Sequence, residues 1–416
     1  MRTLRHQYPR ISDFLLCEES LSDRLDSVYK TNIKPGVSGM NIGYLVVAGL
    51  ACVSSGTLAG EGGCVTGTLV GSYVTASFHR DAAVIEDLMY VADGWAGLIV
   101  VDISEPASPS LVGSYDTPGF ALGVFVVGDV VYVADESFGL ALIDVSNPET
   151  PTLLGTYDTA GLAVDVVVVD EKAYVSDGLA GIAIVDVSSP ETPVLLGALD
   201  TDGVVQDIAV DGDIAYVANG LNGLLVVDVS DPTMAIVIGE YNTPDNAWGV
   251  TVVGTVVYIA DAESGVQIID VSDGEHPVLL GSYDTPNSAQ DLTVIGDVAY
   301  VADGLDGLVV LNVGDPAFVS LLGSFETDGF SLDVTVVDGL AYVADWDSDL
   351  KVIDVASCEA ECEADLTGDG ELNFFDVSAF LGAFMAQEPV ADFSGDGEFN
   401  FFDVSAFLQA FAAGCP

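Results

Sequence analysis

Positive charge is what this chain has least of. Of 416 residues only nine are Lys or Arg and three are His, against 65 acidic residues, for a net charge of −56. Six of the nine basic residues (Arg2, Arg5, Arg10, Arg24, Lys30, Lys34) precede residue 40, as do five of the 65 acidic ones; beyond it Arg80, Lys172 and Lys351 face 60 acids. Such a surface repels phosphate backbones and anionic lipid, which excludes nucleic acid as a partner. It suits surroundings rich in cations, such as sea water or calcium, which screen its self-repulsion. Histidine is as rare: apart from His6, only His79 and His276 occur. No nucleophile–base pair stands out, so enzyme chemistry has little to build on. Long apolar runs are missing too, and the longest candidate, Ile42 to Val53, is too short to span a bilayer. Disorder does not follow from the charge, because half the residues are hydrophobic and regularly patterned.

The stretch up to Gly60 has a grammar of its own. Residues 1–39 are polar, mixed in charge and without a strand period. Residues 40–60, MNIGYLVVAGLACVSSGTLAG, hold a short apolar core followed by small residues. That is the pattern of a secretory signal peptide cleaved near Gly60, with no transmembrane span in the mature protein. Residues 1–39 then read as a gene-model extension before a start at Met40, or as an unusually long leader. The expected location is extracellular or at the cell surface. Removing the leader takes Cys17 and Cys52 and leaves Cys64, Cys358, Cys362 and Cys415. Four cysteines in an oxidising compartment predict two disulfides, with three connectivities open.

What is abundant is repetition. Tyr90, Tyr132, Tyr174, Tyr216, Tyr258, Tyr300 and Tyr342 recur at one constant interval. Each stands in a strand such as DVAYVAD, followed by an Asp-Gly-x-x-Gly turn, a strand such as GLVVLNV, and a turn with Asp-Pro or Asn-Pro. A strand such as SLLGSFET completes the unit. Dense β-branched residues with closely spaced turn signals predict an all-β fold. Four strands per unit and seven units predict a seven-bladed β-propeller over residues 61–358. Gly97, Gly139, Gly181, Gly223, Gly265 and Gly307 sit where the chain reverses and are expected at positive φ. Asp93, Asp135, Asp177, Asp261, Asp303 and Asp345 are expected to accept turn amides through their side chains.

The ends of the array show how it closes. TLVGSYVT (68–75) aligns with a fourth strand and LKVIDV (350–355) with a third, so the last blade takes its outer strand from the N-terminus. Shifted by whole periods, Cys64 and Cys358 both map onto Pro148, in the turn between third and fourth strands that the seam blade lacks. A Cys64–Cys358 disulfide would replace that turn and, on the loop-entropy model, contribute roughly 4–5 kcal/mol. The units GLAGIAIVDVSSPETPVLLG and GLNGLLVVDVSDPTMAIVIG resemble the LVIVD repeat of exported bacterial β-propellers, over about residues 66–356. That family is defined by its repeat rather than by an activity, so the resemblance implies a fold and hardly a function.

The composition changes after Val355. ADLTGDGELNFFDVSAFLGAF (364–384) returns shortly afterwards as ADFSGDGEFNFFDVSAFLQAF (391–411). Each copy holds a twelve-residue loop with Asp at positions 1, 5 and 12 and Gly at position 6. Alternating oxygen side chains around a glycine bend supply the hard ligands calcium needs. The first loop would use Asp365, Thr367, Asp369, the Glu371 carbonyl, Asn373 and Asp376; the second Asp392, Ser394, Asp396, the Glu398 carbonyl, Asn400 and Asp403. The apolar sets Val377, Phe380, Leu381, Phe384 and Val404, Phe407, Leu408, Phe411 predict two helices with one apolar face each. Two such units over residues 359–416 resemble a type I dockerin, and the ending Gly414-Cys415-Pro416 with the opening Cys362 resembles its Gly-Cys-Pro variant. The resemblance implies two calcium ions, a Cys362–Cys415 clasp and a cohesin-like partner on a scaffold or cell surface. A small module of this kind is expected to need calcium to fold. Phe374-Phe375 and Phe401-Phe402 depart from cellulosomal dockerins, which puts a cellulosomal cohesin in doubt; they suit either a core or a docking patch.

Two acid rings remain as site candidates. Asp81, Asp165, Asp207, Asp291 and Asp333 open the innermost strands, interrupted by Gly123 and Gly249; the pre-turn aspartates form the second ring, with Asn219 as its neutral member. Both are expected on one side, near the central channel, as one structural hydrogen bond per blade, as cation ligands or as an acid/base pair for sugar chemistry. The breaks in the repeat say more. His79, Arg80, Gln206, Trp248 and Gln290 stand where other blades carry Ala, Leu or Val, and would set a cation, an aromatic and two amides around one rim beside Asp81. Such a rim suits a glycan or peptide. The expected function is an exported binding or display protein; the alternatives are a polysaccharide hydrolase or lyase carried by a dockerin, and a structural surface protein.

Overall fold

A computed structural model describes residues 67–355 apart from 76, 347 and 348, and, in the C-terminal part, 364, 366, 374–387, 389–391, 393, 399 and 401–413. Residues 67–355 form seven four-stranded antiparallel sheets. The first blade runs from the innermost strand Asp81–Ile85 through Leu88–Ala92 and Leu98–Asp102 to the outer strand Ser110–Tyr115. Inner and second strands pair Asp81 with Ala92 and Ile85 with Leu88, so the turn after Ala92 lies at the same end as Asp81.

The strand sequences follow from burial. Second and third strands such as LMYVA and LIVVD are buried along almost their whole length, because neighbouring blades cover both faces. A strand covered on both faces reads as a continuous apolar run rather than an alternation. The recurring tyrosine fills the gap between blades: Tyr90 packs with Val124, Val131 and Ile143 of the next blade, and Tyr342 with Ala82, Met89 and Val91 of the first. The fourth strand carries Gly for a different reason. A Cβ on Gly113 would stand 2.2 Å from the Pro148 carbonyl oxygen of the next blade, which leans on the strand at its bulge.

The ring closes as its ends predict. Ser331–Val337, Leu340–Asp345 and Asp349–Asp354 form the seventh blade, and Thr68–Val74 supplies its outer strand. Thr68 pairs with Asp354. Cys64 and Cys358 fall outside the described residues, each four positions beyond one member of that pair in the sequence.

Between second and third strands, Gly97 and Gly139 take φ of 74° and 77°. The pre-turn aspartates act otherwise than expected. In the first turn the amide of Ala96 bonds to the main-chain oxygen of Asp93, and the Asp93 amide bonds to the Gly97 oxygen, both at 2.8 Å. The turn is closed by backbone, which releases the Asp side chains for partners outside it.

In the C-terminal part, α1 (Phe374–Ala386) and α2 (Phe401–Ala413) are the two expected helices. Their cluster centres on Phe380 and Phe407, stacked at 4.1 Å with rings 2° from parallel. Phe393 meets both edge-on. Leu381 and Leu408 do not join this core as expected but are 48% and 50% exposed. One stacked pair makes a narrower contact than the sequence stripe suggested, and the leucines fall beside it. Asp376 and Asp403 are buried in the first turns of α1 and α2. Among the described residues no helix is long and apolar enough to cross a membrane.

Candidate ligand site at the channel mouth

The innermost strands converge on a central channel. Its outer cavity, about 260 Å³, is lined by Asp81, Asp165, Asp207, Asp291 and Asp333 together with Gly123. A deeper cavity of about 360 Å³ shares Asp81, Asp165 and Asp207 with it. Three acids of the first ring therefore border both cavities, and Asp291 and Asp333 the outer one.

Three of the five carboxylates also accept an amide from the next blade. Asp81 Oδ2 accepts from the Val124 amide at 2.6 Å, Asp207 Oδ2 from Val250 at 2.6 Å and Asp333 Oδ2 from Ala82 at 3.0 Å. Thr335 Oγ1 donates to the Ala82 carbonyl at 3.0 Å, beside the last of these. The glycine gaps have a steric cause. A Cβ on Gly249 would lie 2.4 Å from Asp291 Oδ1, and one on Gly123 2.7 Å from the Asp165 Cα. The gaps divide the ring into Asp165–Asp207 and the run Asp291–Asp333–Asp81. Asp165 hydrogen-bonds Asp207, and Asp291 hydrogen-bonds Asp333, contacts that need a shared proton. Burial, foremost, and neighbouring carboxylates push Asp81 and Asp291 up to about 7. Asp165 and Asp333 rise well above the usual carboxylate range, again through burial first.

One residue earlier in each blade comes the mouth. Arg80, Gln206, Trp248 and Gln290 all line the outer cavity, with Leu122, Val164 and Leu332 completing the circle. Arg80 of the first blade reaches across so that its Cζ lies 6.0 Å from the Trp248 ring centroid in the fifth. Gln290 is oriented by Ser288, its Nε2 donating to Oγ at 2.8 Å.

His79 does not belong to this rim. It is fully buried, its Nε2 accepts from the Asp345 amide at 2.9 Å, and its Nδ1 lies 3.1 Å from Thr75 Oγ1. Thr75 Oγ1 donates in turn to the Ser77 carbonyl, so the imidazole carries its proton on Nδ1. In other blades backbone bridges such as Gly94–Ala121 and Glu136–Ala163 join the turn to the next inner strand. At the seam the histidine makes that join.

The second acid ring is likewise absent from the channel lining. Asp135 accepts from Thr117 Oγ1 at 2.6 Å and from the Gly119 amide at 2.8 Å. Asp177 repeats this with Thr159 and Gly161, and Asp303 with Thr285 and Asn287. These carboxylates are raised by burial and lowered by the threonine hydroxyl, Asp261 reaching about 6. In these blades the ring fastens the loop that enters the blade. Its signal was present in the sequence: Thr117, Thr159, Thr201, Thr243, Thr285 and Thr327 recur once per unit, each at the same distance before a pre-turn Asp or Asn.

Among the described residues no group of three or more His, Cys, Asp or Glu is arranged to hold a metal. Of the expected calcium ligands, Asp376 and Asp403 are described; Asp365, Thr367, Asp369, Glu371, Asn373, Asp392, Ser394, Asp396, Glu398 and Asn400 fall outside, as do Cys362 and Cys415.

The LVIVD repeat model matches seven consecutive stretches, residues 79–117, 118–159, 160–201, 202–243, 244–285, 286–327 and 328–358. Comparison with curated proteins finds no match. Among solved structures, the WD40 β-propeller domain of Doa1 is similar at 12% identity and a TM-score of 0.58, covering 69% of this chain and 96% of that one. The Cps50 (Swd1) β-propeller domain of Myceliophteria thermophila is similar at 9% identity and 0.57, over 70% and 100%. The computationally designed Ika8 protein is similar at 9% identity and 0.52, over 68% and 98%. These likenesses concern the fold alone.

Proposed function

The chain belongs to the LVIVD repeat family, and from that premise we propose that it is an exported binding or display protein that takes its ligand at the channel mouth. One observation carries the reading. The repeat is broken in Arg80, Gln206, Trp248 and Gln290, and those four side chains converge on one cavity. A residue that serves only the repeat has no reason to differ there. A cation over an aromatic face, flanked by amides, suits a glycan or a peptide.

The C-terminal part is read as a calcium-binding, dockerin-like module that attaches the propeller to a cohesin-like partner on a scaffold or cell surface. Two features support this. The helices meet through equivalent residues of the two sequence copies, Phe380 and Phe407. The last ligand position of each loop, Asp376 or Asp403, is a buried carboxylate at a helix start, where it would complete an oxygen shell. Leu381 and Leu408, half exposed at matching positions, give a partner two apolar contacts.

The alternative of a carbohydrate-active enzyme fits the channel less well. Glycosidases hold two carboxyl groups roughly 5–9.5 Å apart, one on each side of the bond they cut. Here Asp165 touches Asp207 and Asp291 touches Asp333, and backbone amides occupy their neighbours. The test is a screen of glycan and peptide arrays with the full chain beside Trp248→Ala. Ligands lost with the tryptophan support the reading. Ligands indifferent to it, or specific polysaccharide cleavage, would replace it.

A further inference from the structure

All three tryptophans of the chain stand on the face where the channel opens. Trp248 lines the mouth, Trp95 is in a turn at that end, and Trp346 directly follows the strand ending at Asp345. Phe78 stacks on Trp346 at 5.2 Å, Trp95 meets Phe120 edge-on at 5.0 Å, and Phe120 lies 6.4 Å from Trp346. This cluster crosses the seam from the seventh blade to the second. Trp95 is 66% exposed and Phe78 40%. The turn position of Trp95 carries Leu179, Leu221 and Leu305 in other blades, exposed to 77%, 77% and 64%. This apolar collar round the opening is interrupted by Ser137 and Glu263 at the same position; scattered exposed leucines need no explanation, but the contiguous aromatic cluster at the seam marks an interaction surface.

The charge says what the collar would receive. At its centre lie the five channel carboxylates, with Arg80 as the single basic residue of the cavity lining. Outside it, Asp116, Asp158, Asp200, Asp284 and Glu326 stand exposed at one repeated loop position. A second copy of the chain would set −56 against −56. A complementary partner is cationic at its centre and apolar round it. The outer cavity, about 260 Å³, is below the roughly 300–1,000 Å³ of drug-sized ligand sites. It has room for one long side chain, and the deeper cavity extends it.

Building on the channel mouth as the ligand site, we propose that this face docks a polypeptide segment that inserts one Lys or Arg side chain into the channel and seats flanking apolar residues on the Phe78–Trp95–Phe120–Trp346 cluster. The geometry resembles a protein hot spot, a desolvated central anchor within a water-excluding surround.

The test is selection from a random dodecapeptide display library on the full chain, followed by titration of the enriched peptides. Tryptophan emission reports on this face alone, since no tryptophan lies elsewhere. Enriched peptides should carry a Lys or Arg beside aromatic or aliphatic residues. Replacing that cation by Gln in the peptide should weaken binding about tenfold or more, and Trp95→Ser, at an exposed turn tip, by a similar factor. Asp207→Asn should do likewise, and the first two tests stand even if that variant does not fold. Enrichment without a basic residue, no enrichment, or affinity indifferent to both Trp95→Ser and the peptide change would overturn the proposal. Glycan binding that depends on Trp248, with no peptide bound, would overturn it while leaving the mouth as the ligand site. Absence of either ligand class would remove both.

Discussion

The Asp345 amide donates to His79 Nε2 at 2.9 Å across 266 positions of sequence. In six other places a backbone bridge joins a turn to the next inner strand, the last being Gly304–Ser331; at the junction of last blade and first, a side chain does it. Replacing His79 by Ala, the residue at the same place in other blades, should therefore harm this blade although it suits them. A buried amide left without its acceptor costs about 1–3 kcal/mol. Urea unfolding of His79→Ala should show a loss in that range, with Ala163→Gly, at an equivalent position in an ordinary blade, as the comparison. Equal stability of wild type and His79→Ala would mean that the histidine adds nothing to a closure already made by the Thr68–Val74 strand and the bonds of Asp333 and Thr335 to Ala82.

The threonine–aspartate ties make a second, repeated test. Thr117 donates to Asp135 and Thr159 to Asp177, each at 2.6 Å. Thr→Val keeps the shape and deletes the donor, leaving a buried carboxylate with one partner fewer. Each substitution should cost about 1–2 kcal/mol, hydrogen bonds to charged groups being worth more than neutral ones. Thr117 and Thr159 belong to different blades and share no partner, so the double variant should be close to additive. Strong non-additivity in thermal or urea unfolding would show that the ties form one connected network.

These ties also mark where the sequence was legible. Period, blade count and seam could be read because burial of the second and third strands writes a continuous apolar signal into every unit. The mouth could be read too: Arg80, Gln206, Trp248 and Gln290 broke the pattern and do line one cavity. His79 broke it as well and proved to be structural, because a break at the seam marks the closure rather than a ligand. The Thr117–Asp135 relation was missed although both residues repeat. Nothing local links positions 18 apart until the chain has entered and turned within a blade. Leu381 and Leu408 were misassigned because a helical stripe gives the direction of a face but not the width of the contact that covers it.

The channel ring predicts an unusual dependence on pH. Unfolded aspartates titrate near ~3.9, whereas Asp81 and Asp291 titrate at about 7 in the folded chain. Between those values the folded state holds protons that the unfolded state has lost, so stability falls as pH rises through the window and levels off above it. Asp291→Asn keeps a neutral group that can still accept from a backbone amide and donate to Asp333. It should be ~1–2 kcal/mol more stable than wild type above pH 7 and about level with it near pH 4. Thermal melts of both proteins from pH 4 to 8 decide the point. A wild-type chain that gains stability as pH rises would mean that the ring is ionised and neutralised by bound cations.

Calcium is the remaining axis, and it separates the two halves of the functional reading. The loops ending at Asp376 and Asp403 are expected to take one ion each, whereas the channel carboxylates are tied to Val124, Val250 and Ala82 and to one another. Calorimetric titration of the full chain should therefore find two equivalents. Asp403→Ala should remove one of them, since loss of a charged ligand from a shell of six to eight oxygens weakens calcium binding severely. It should also lower the melting temperature of the α1–α2 part in calcium while leaving its behaviour in chelator unchanged, because binding energy there is folding energy. The propeller transition should ignore calcium in both proteins. A third equivalent that survives Asp403→Ala and shifts the propeller transition would place a cation in the acid ring, in competition with the inserted Lys or Arg side chain; peptide binding should then weaken as calcium is raised.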